Sequence, residues 1–345
     1  MTAARLLVAA LRDPGSVAGL SAAEWTALLT AARAERLIGT LAHRLDRRSV
    51  PASVARILAD AGEGAKQERR AALWEAEMAR RALASLDVPV VLLKGTAFAA
   101  AGFDAGQGRS IGDLDILVPQ GALDAVEQAL RAAGWEAVKE DAYDDAYYRR
   151  WMHELPPLIH RERDRMIDVH HTILPPTAHP TPDAGALLAD AVPLGNGLSV
   201  LSPADMVVHA AAHLFADGDL AGGLRNLWDI DRLCREFSQD GQGFYLHLVE
   251  RAYFHRLGPH LMRALRLTHH LYGTPVPPYR TPLRIDLNMT VADLLFVRRL
   301  LARDGWGRQG HSLTRFGFYI RSHWLRMPPL MLARHLWTKA TRKPA

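Results

Sequence analysis

The sequence predicts an α+β fold: a small strand-bearing region flanked by helical segments. Three observations carry that expectation. Residues 1–85 are rich in Ala, Arg and Glu and carry helix-start signals. Residues 86–200 hold short apolar, β-branched runs separated by Gly- and Pro-bearing turns. Helical patterns return after Ser202-Pro203. The expected organisation is a helical segment over 1–85, a mixed strand–helix region over 86–200, and a C-terminal helical domain with a basic tail over 201–345.

The elements follow in order. Ser21 and Glu24 have capping-box spacing and predict a helix to about Leu37, with Gly39 as its stop. Pro51 opens a second helix running to about Ser85, with a break expected near Gly62 and Gly64. Val88 to Leu93 reads as a buried strand and Gly95 to Ala101 as a short helix. Gly102, Gly106, Gly108 and Gly112 mark a flexible loop before a second strand, Leu114 to Val118. An amphipathic helix over Gln120 to Ala133 ends at Gly134, and Trp135 to Lys139 reads as a strand. Pro156–His160 and Arg165–His171 fit an antiparallel pair around a charged turn. Beyond Pro275–Pro282, helices are expected over Asp286–Ala302 and Leu313–Thr338, the latter interrupted at Pro328-Pro329.

Composition narrows the class. Apolar residues make up 49% and charged residues 23% of 345, an ordinary globular balance that argues against a disordered chain. At roughly 150 residues per domain, about two domains are expected. The single cysteine, Cys234, excludes a disulfide framework and a Cys-rich zinc module, and it reads as buried and inert. No cleavable leader pattern follows Met1, and no apolar run approaches the ~18 residues a bilayer needs, so a cytoplasmic location is expected.

The formal charge of +5 is unevenly spread. From Gly305 onward there are eight Lys and Arg and no Asp or Glu, which leaves −3 for residues 1–304. The basic segment, with Phe316, Phe318, Tyr319, Trp324 and Trp337, suits a nucleic acid or an anionic membrane surface. The preferred reading packs its aromatics on the body and leaves its arginines solvated.

The chemistry concentrates in Arg109-Ser-Ile-Gly-Asp113-Leu-Asp115-Ile-Leu-Val118. On a strand, positions i and i+2 share a face, so Asp113 and Asp115 stand side by side while Leu114, Ile116 and Val118 face the core. Two adjacent carboxylates repel unless a cation lies between them. A hard cation, Mg²⁺ or Mn²⁺, suits that donor pair. The alternative is a solvated strand entry. Two other Asp-x-Asp pairs serve as controls: Asp217/Asp219 falls in a polar turn and Asp229/Asp231 on a predicted helix.

Lys94-Gly95-Thr96 lies where a strand enters a helix. A glycine there lets backbone N–H groups approach a phosphate, with Lys94 adding charge and Thr96 a hydroxyl. A plain strand–helix turn reads equally well. Asp168 sits in an apolar strand-like run, either as a third carboxylate facing the pair or paired with Arg161 or Arg165. Arg109 is placed to clamp a phosphate or to bridge to the acidic cluster.

Other motifs fit less well. His209 and His213 have i, i+4 spacing but lack the glutamate of the zinc-protease motif, so pocket lining or packing is preferred to metal binding. Gly108-x-Ser110-x-Gly112 matches a nucleophile elbow, yet it leads from loop into strand instead of strand into helix. No His-Asp dipeptide is present, which argues against a metal phosphohydrolase built on that pair.

Together the L-K-G turn, the R-x-x-x-D-x-D segment and the later D-x-H strand resemble the polymerase-beta-like nucleotidyltransferase superfamily. Within it they resemble a family of uncharacterised bacterial nucleotidyltransferases. The motifs cover about residues 86–175, with looser similarity around Leu224-Arg-Asn-Leu-Trp-Asp229. The resemblance implies a nucleotidyltransferase palm over 86–200. It also implies transfer of a nucleoside monophosphate from an NTP to a small metabolite, peptide or protein, releasing pyrophosphate. Asp113 and Asp115 would hold the metals and Asp168 would be ligand and base. Gly95 and Thr96 would cradle the phosphates, with Lys94 and Arg109 beside them. The superfamily usually carries Gly-Ser or Gly-Gly at the first motif and a shorter loop before the Asp pair. Two rivals remain: a non-catalytic nucleotide-binding protein of the same fold, and a nucleic-acid-binding module acting through the basic segment.

Overall fold

The computed structural model describes residues 2–139, 142–239, 243–277 and 285–326, excepting the side chains of 142–144, 217 and 326. Four helices come first: α1 (Ala3–Arg12), α2 (Ala22–Ala34), α3 (Ile38–Arg44) and α4 (Ala52–Leu83). The strand-bearing region follows with β1 (Val91–Leu92), α5 (Lys94–Ala100), β2 (Leu114–Leu117), α6 (Leu123–Ala132), β3 (Trp135–Ala137), α7 (Ala142–Trp151), β4 (Leu158–His160) and β5 (Met166–His170). After α8 (Ala184–Ala189) come β6 (Val192–Pro193) and β7 (Ser199–Val200). The rest is helical: α9 (Pro203–Ala212), α10 (Gly223–Phe237), α11 (Gly243–Phe254), α12 (Gly258–Tyr272), α13 (Val291–Leu300) and α14 (Ser312–Arg326).

The seven strands form one mixed sheet in the order β3-β4-β5-β2-β1-β7-β6. The fold is α+β, as the sequence predicts. β2 is central, antiparallel to β1 and parallel to β5. Its apolar residues Leu114, Ile116 and Leu117 and the following Val118 are all buried. The expected β4–β5 antiparallel pair is present, with Leu158 opposite Ile167.

Local capping chemistry sets several helix starts. Ser21 and Glu24 close a reciprocal capping box on α2, and Ser202 caps α9 with Pro203 at its first position. Gly134 leaves α6 at φ +105°, a backbone conformation that suits glycine.

Three expectations about the N-terminal helices and the glycine loop are corrected. α2 stops at Ala34, and Gly39 lies inside α3 instead of ending α2. Gly39 is needed for proximity: a Cβ there would lie 2.5 Å from the Gly108 carbonyl oxygen. α4 runs unbroken for 32 residues through Gly62 and Gly64. The Ala, Glu, Arg and Lys around them outweigh two glycine penalties of about 1 kcal/mol each. The glycine loop is pinned on several sides. The Ile111 N–H donates to Glu68 of α4 at 3.1 Å, and a Cβ on Gly106 would lie only 3.0 Å from the Phe98–Ala99 backbone.

The C-terminal helices depart from expectation in another way. α13 starts at Val291, behind a Thr290–Asp293 capping box, instead of at Asp286. α14 is described from Ser312 to Arg326; Pro328-Pro329, Trp337 and the basic residues Arg334, Lys339, Arg342 and Lys343 lie outside the described residues. Phe318 packs edge-on against Phe296 at 4.9 Å, while Phe316, Tyr319 and Trp324 are exposed. The preferred reading of the aromatics therefore holds for Phe318 alone among these four. Arg321 is not solvated, since its guanidinium donates to the Phe215 carbonyl and lies over Phe296. Among the described residues, no helix is long and apolar enough to cross a membrane.

Candidate active site

The sheet register gathers the acidic residues. Parallel pairing sets Asp115 on β2 directly opposite Asp168 on β5. Asp113, two residues before Asp115, completes the group. One carboxylate oxygen from each of Asp113, Asp115 and Asp168 lies within 4.8 Å of the others. Asp113 is exposed, Asp168 half-buried and Asp115 buried, so the group runs from solvent into the sheet.

Asp115 is the fixed member. Its Oδ1 accepts from Lys94 Nζ at 2.6 Å and lies 2.9 Å from His170 Nε2. A carboxylate only accepts, so the His170 proton sits on Nε2. Burial opposes the Asp115 charge, but Lys94 and His170 outweigh it and hold this carboxyl far below the usual range. Lys94 is the mirror case. Burial disfavours its ammonium, yet Asp115, with Asp113 and Glu154, raises its pKa above the ordinary lysine value. Lys94 reaches this position from a backbone φ of +49°, which costs a non-glycine residue about 1–2 kcal/mol. The pair with Asp115 offsets that strain.

Asp168 behaves oppositely. Neither Arg161 nor Arg165 pairs with it, and the Arg165 guanidinium instead faces the Gly112 carbonyl at 3.4 Å. Burial, followed by the charges of Asp115 and Glu154, pushes the Asp168 carboxyl up to about 7. Carboxylates gathered this closely repel one another, and a bound cation would relieve that repulsion.

Beside the acidic group lies a cavity of about 480 Å³, a volume typical of small-ligand sites. Lys94, Gly95, Arg109, Asp113 and Asp115 all line it. Thr96 does not: it is buried, and its hydroxyl has no hydrogen-bond partner. Arg109 lines the cavity but does not bridge to Asp113, Asp115 or Asp168. Its Nε pairs with Asp229 of α10 at 3.1 Å, and its guanidinium lies over Phe98. Gly95 makes that possible, because a Cβ there would lie 1.9 Å from Arg109 Nη1. His209 and His213 both line the cavity, matching the pocket-lining reading. Burial, then Lys94, drives the His209 pKa well down. Cys234 is buried, and burial raises its thiol pKa, so it is unreactive.

Sequence reasoning left several residues without a role. His170 shares a strand face with Asp168 by i, i+2 spacing, a signal present in the D-x-H motif itself. Glu154 and His153 carry no such signal. They reach the site because Glu154 pairs with His170 through an isolated antiparallel bridge. Asp229, which anchors Arg109 from α10 and also pairs with Arg225, is 120 residues away from Arg109 in sequence.

A mixed sheet that presents paired carboxylates beside a basic turn, with helices before and after, is consistent with an α+β nucleotidyltransferase fold. The chain belongs to a family of uncharacterised nucleotidyltransferases, whose profile matches residues 21–273, well over half its length. No curated protein matches it.

Proposed function

We propose that the protein is a Mg²⁺-dependent, cytoplasmic nucleotidyltransferase that moves a nucleoside monophosphate from an NTP to a hydroxyl-bearing metabolite, peptide or protein side chain, releasing pyrophosphate. The observation that carries this is the gathering of Asp113, Asp115 and Asp168 within 4.8 Å at the edge of a basic-walled cavity. The donor set fits a hard cation, being three carboxylates of which Asp168 has no cationic partner among the described residues. Bound there, Mg²⁺ would supply Lewis-acid charge to the triphosphate.

The chain's own groups divide the remaining work. Lys94 and Arg109 present positive charge to the phosphates from fixed positions, so little reorganisation is needed during reaction. Gly95 keeps the turn bare of a side chain beside them. Asp168, facing the Asp pair, accepts the proton of the attacking hydroxyl. Pyrophosphate leaves through the open side of the cavity. Residues 86–200 form the catalytic palm in this reading, and residues 1–85 and 201–345 supply the helical walls.

The test is thermal stabilisation by each NTP with and without Mg²⁺, in wild type and in Asp113→Asn. Asp113 is exposed, so the variant keeps its fold. A metal-dependent NTP response in wild type that disappears in Asp113→Asn is expected; an equal response in both refutes the assignment. Labelling of a cell extract with α-labelled NTPs then reveals the acceptor. NTP binding without pyrophosphate release or label transfer would identify a non-catalytic binder.

A further inference from the structure

Behind Asp115 lies a second cluster of a different chemical kind. His153 follows α7, Glu154 pairs with β5 through an isolated bridge, and His170 ends β5. His170 Nδ1 lies 3.4 Å from Glu154 Oε2, and His153 Nε2 lies 3.9 Å from the same oxygen. The two imidazole rings are 5.2 Å apart and tilted by 33°. One ligand atom from each of the three residues falls within 4.8 Å of the others.

Two ring nitrogens of this cluster are buried without a hydrogen-bond partner. His170 Nε2 must carry a proton, because it faces a carboxylate. The other ring nitrogen, His170 Nδ1, faces a second carboxylate, that of Glu154. That contact is not a hydrogen bond: His170 Nδ1 and His153 Nδ1 are both buried without a partner. Their side chains are only 2% and 10% exposed. Buried polar atoms without partners are costly, and a bound ion is one way to satisfy them.

We infer that His153, Glu154 and His170 form a second cation site, distinct from the acidic group, for a borderline-soft transition metal such as Zn²⁺. Two nitrogens and one carboxylate are a zinc donor set and a poor magnesium one. Metal bonds of about 2.0–2.1 Å in tetrahedral geometry put ligand atoms about 3.3 Å apart, close to the 3.4 Å seen for His170 and Glu154. Drawing in the 3.9 Å pair requires a shift of about half an ångström. The far side of His170 already has the arrangement usual for a metal-bound histidine, its other N–H being given to a carboxylate. The carboxylate here is Asp115, so the proposed metal fixes the ring that orients the central acidic residue. The inference rests on this cluster alone and does not require that the protein transfer nucleotides.

The experiment is metal analysis of the full chain after dialysis against metal-free buffer, followed by titration with Zn²⁺ and Co²⁺. Wild type is expected to hold about one equivalent of Zn²⁺, and the Co²⁺ form to show the visible absorption of a tetrahedral nitrogen–oxygen site. His153→Gln and, separately, Glu154→Gln should weaken binding at least tenfold, while Asp113→Asn leaves it unchanged. Wild-type chain that retains no metal and gains no stability from millimolar Zn²⁺ overturns the inference. So does Zn²⁺ binding that is lost in Asp113→Asn and kept in His153→Gln. Neither outcome depends on activity, so failure of this site and failure of the nucleotidyltransferase reading are separable.

Discussion

Asp229→Ala should destabilise the protein by about 3 kcal/mol, a figure that follows from what the carboxylate holds. Asp229 receives Arg109 Nε at 3.1 Å and Arg225 Nη1 at 3.5 Å, and the three side chains are only 3%, 13% and 6% exposed. Removing one partner of a buried ion pair costs roughly 3–5 kcal/mol, because the remaining charge stays desolvated. Here two guanidiniums are left, but neither is stripped. Arg225 keeps its bond to Thr40 Oγ1 at 2.9 Å, and Arg109 keeps the Ser110 carbonyl at 3.3 Å. That places the loss at the lower end of the range. Burial already pulls the Arg225 pKa down to about 10 with Asp229 in place, so this cation tolerates no further loss cheaply. At about 2 °C per kcal/mol for a large chain, the melting temperature should fall by roughly 6 °C. Circular dichroism melts of wild type, Asp229→Ala and Asp229→Asn at fixed ionic strength provide the measurement. The asparagine variant keeps an acceptor and should fall between the other two. A shift under about 2 °C for the alanine variant would refute the claim that this is a desolvated, shared anchor.

Three further outcomes are expected. Gly64→Ala should stabilise the protein by about 0.5–1 kcal/mol, since it lies inside α4 with nothing within 4 Å of the new Cβ, whereas Gly39→Ala should destabilise it; chemical denaturation distinguishes the signs. In chelator, wild type should lose stability relative to Asp168→Asn as pH rises from about 4 to about 7. Folded Asp168 keeps its proton up to about 7 while the unfolded chain releases it near 4, so the folded state binds more protons across that window; melts at several pH values test this. Burial lowers the His260 pKa to about 4, against about 6.5 unfolded, so its neutral ring contributes stability that is lost as pH falls from 6.5 to 4; His260→Gln should flatten that limb of the profile.

What was legible in the sequence is what local chemistry decides. Ser21 with Glu24, Ser202 with Pro203 and the apolar alternation of Leu114, Ile116 and Val118 each act within a few residues, and each element formed where those signals lie. The grouping of Asp113 with Asp115 is local for the same reason. Strand register is not local. Nothing in either segment states that Asp168 faces Asp115 and not its neighbour, and a slip of one residue would send its side chain to the other side of the sheet. The partner of Arg109 was hidden by distance, because Asp229 sits on a helix that reads by itself as an ordinary amphipathic surface. Gly39 misled for a related reason. A glycine reads as a helix stop, but this one is kept for the approach of a second backbone. The glycines of α4 misled because a long run of good helix formers outvotes them.

The Gly39–Gly108 contact has a mechanical consequence. A Cβ on Gly108 would meet the Gly39 carbonyl oxygen at 2.3 Å, so main chain rests directly on main chain. No side chain is available there to swing aside as a cushion. The stretch from Gly106 to Gly112 is therefore a partition, with its first residues walling a cavity of about 520 Å³ and its last residues walling the one of about 480 Å³. Arg109 is the next residue along that partition. The two chambers thus share a wall, and that wall carries the charge of Arg109 on its inner face.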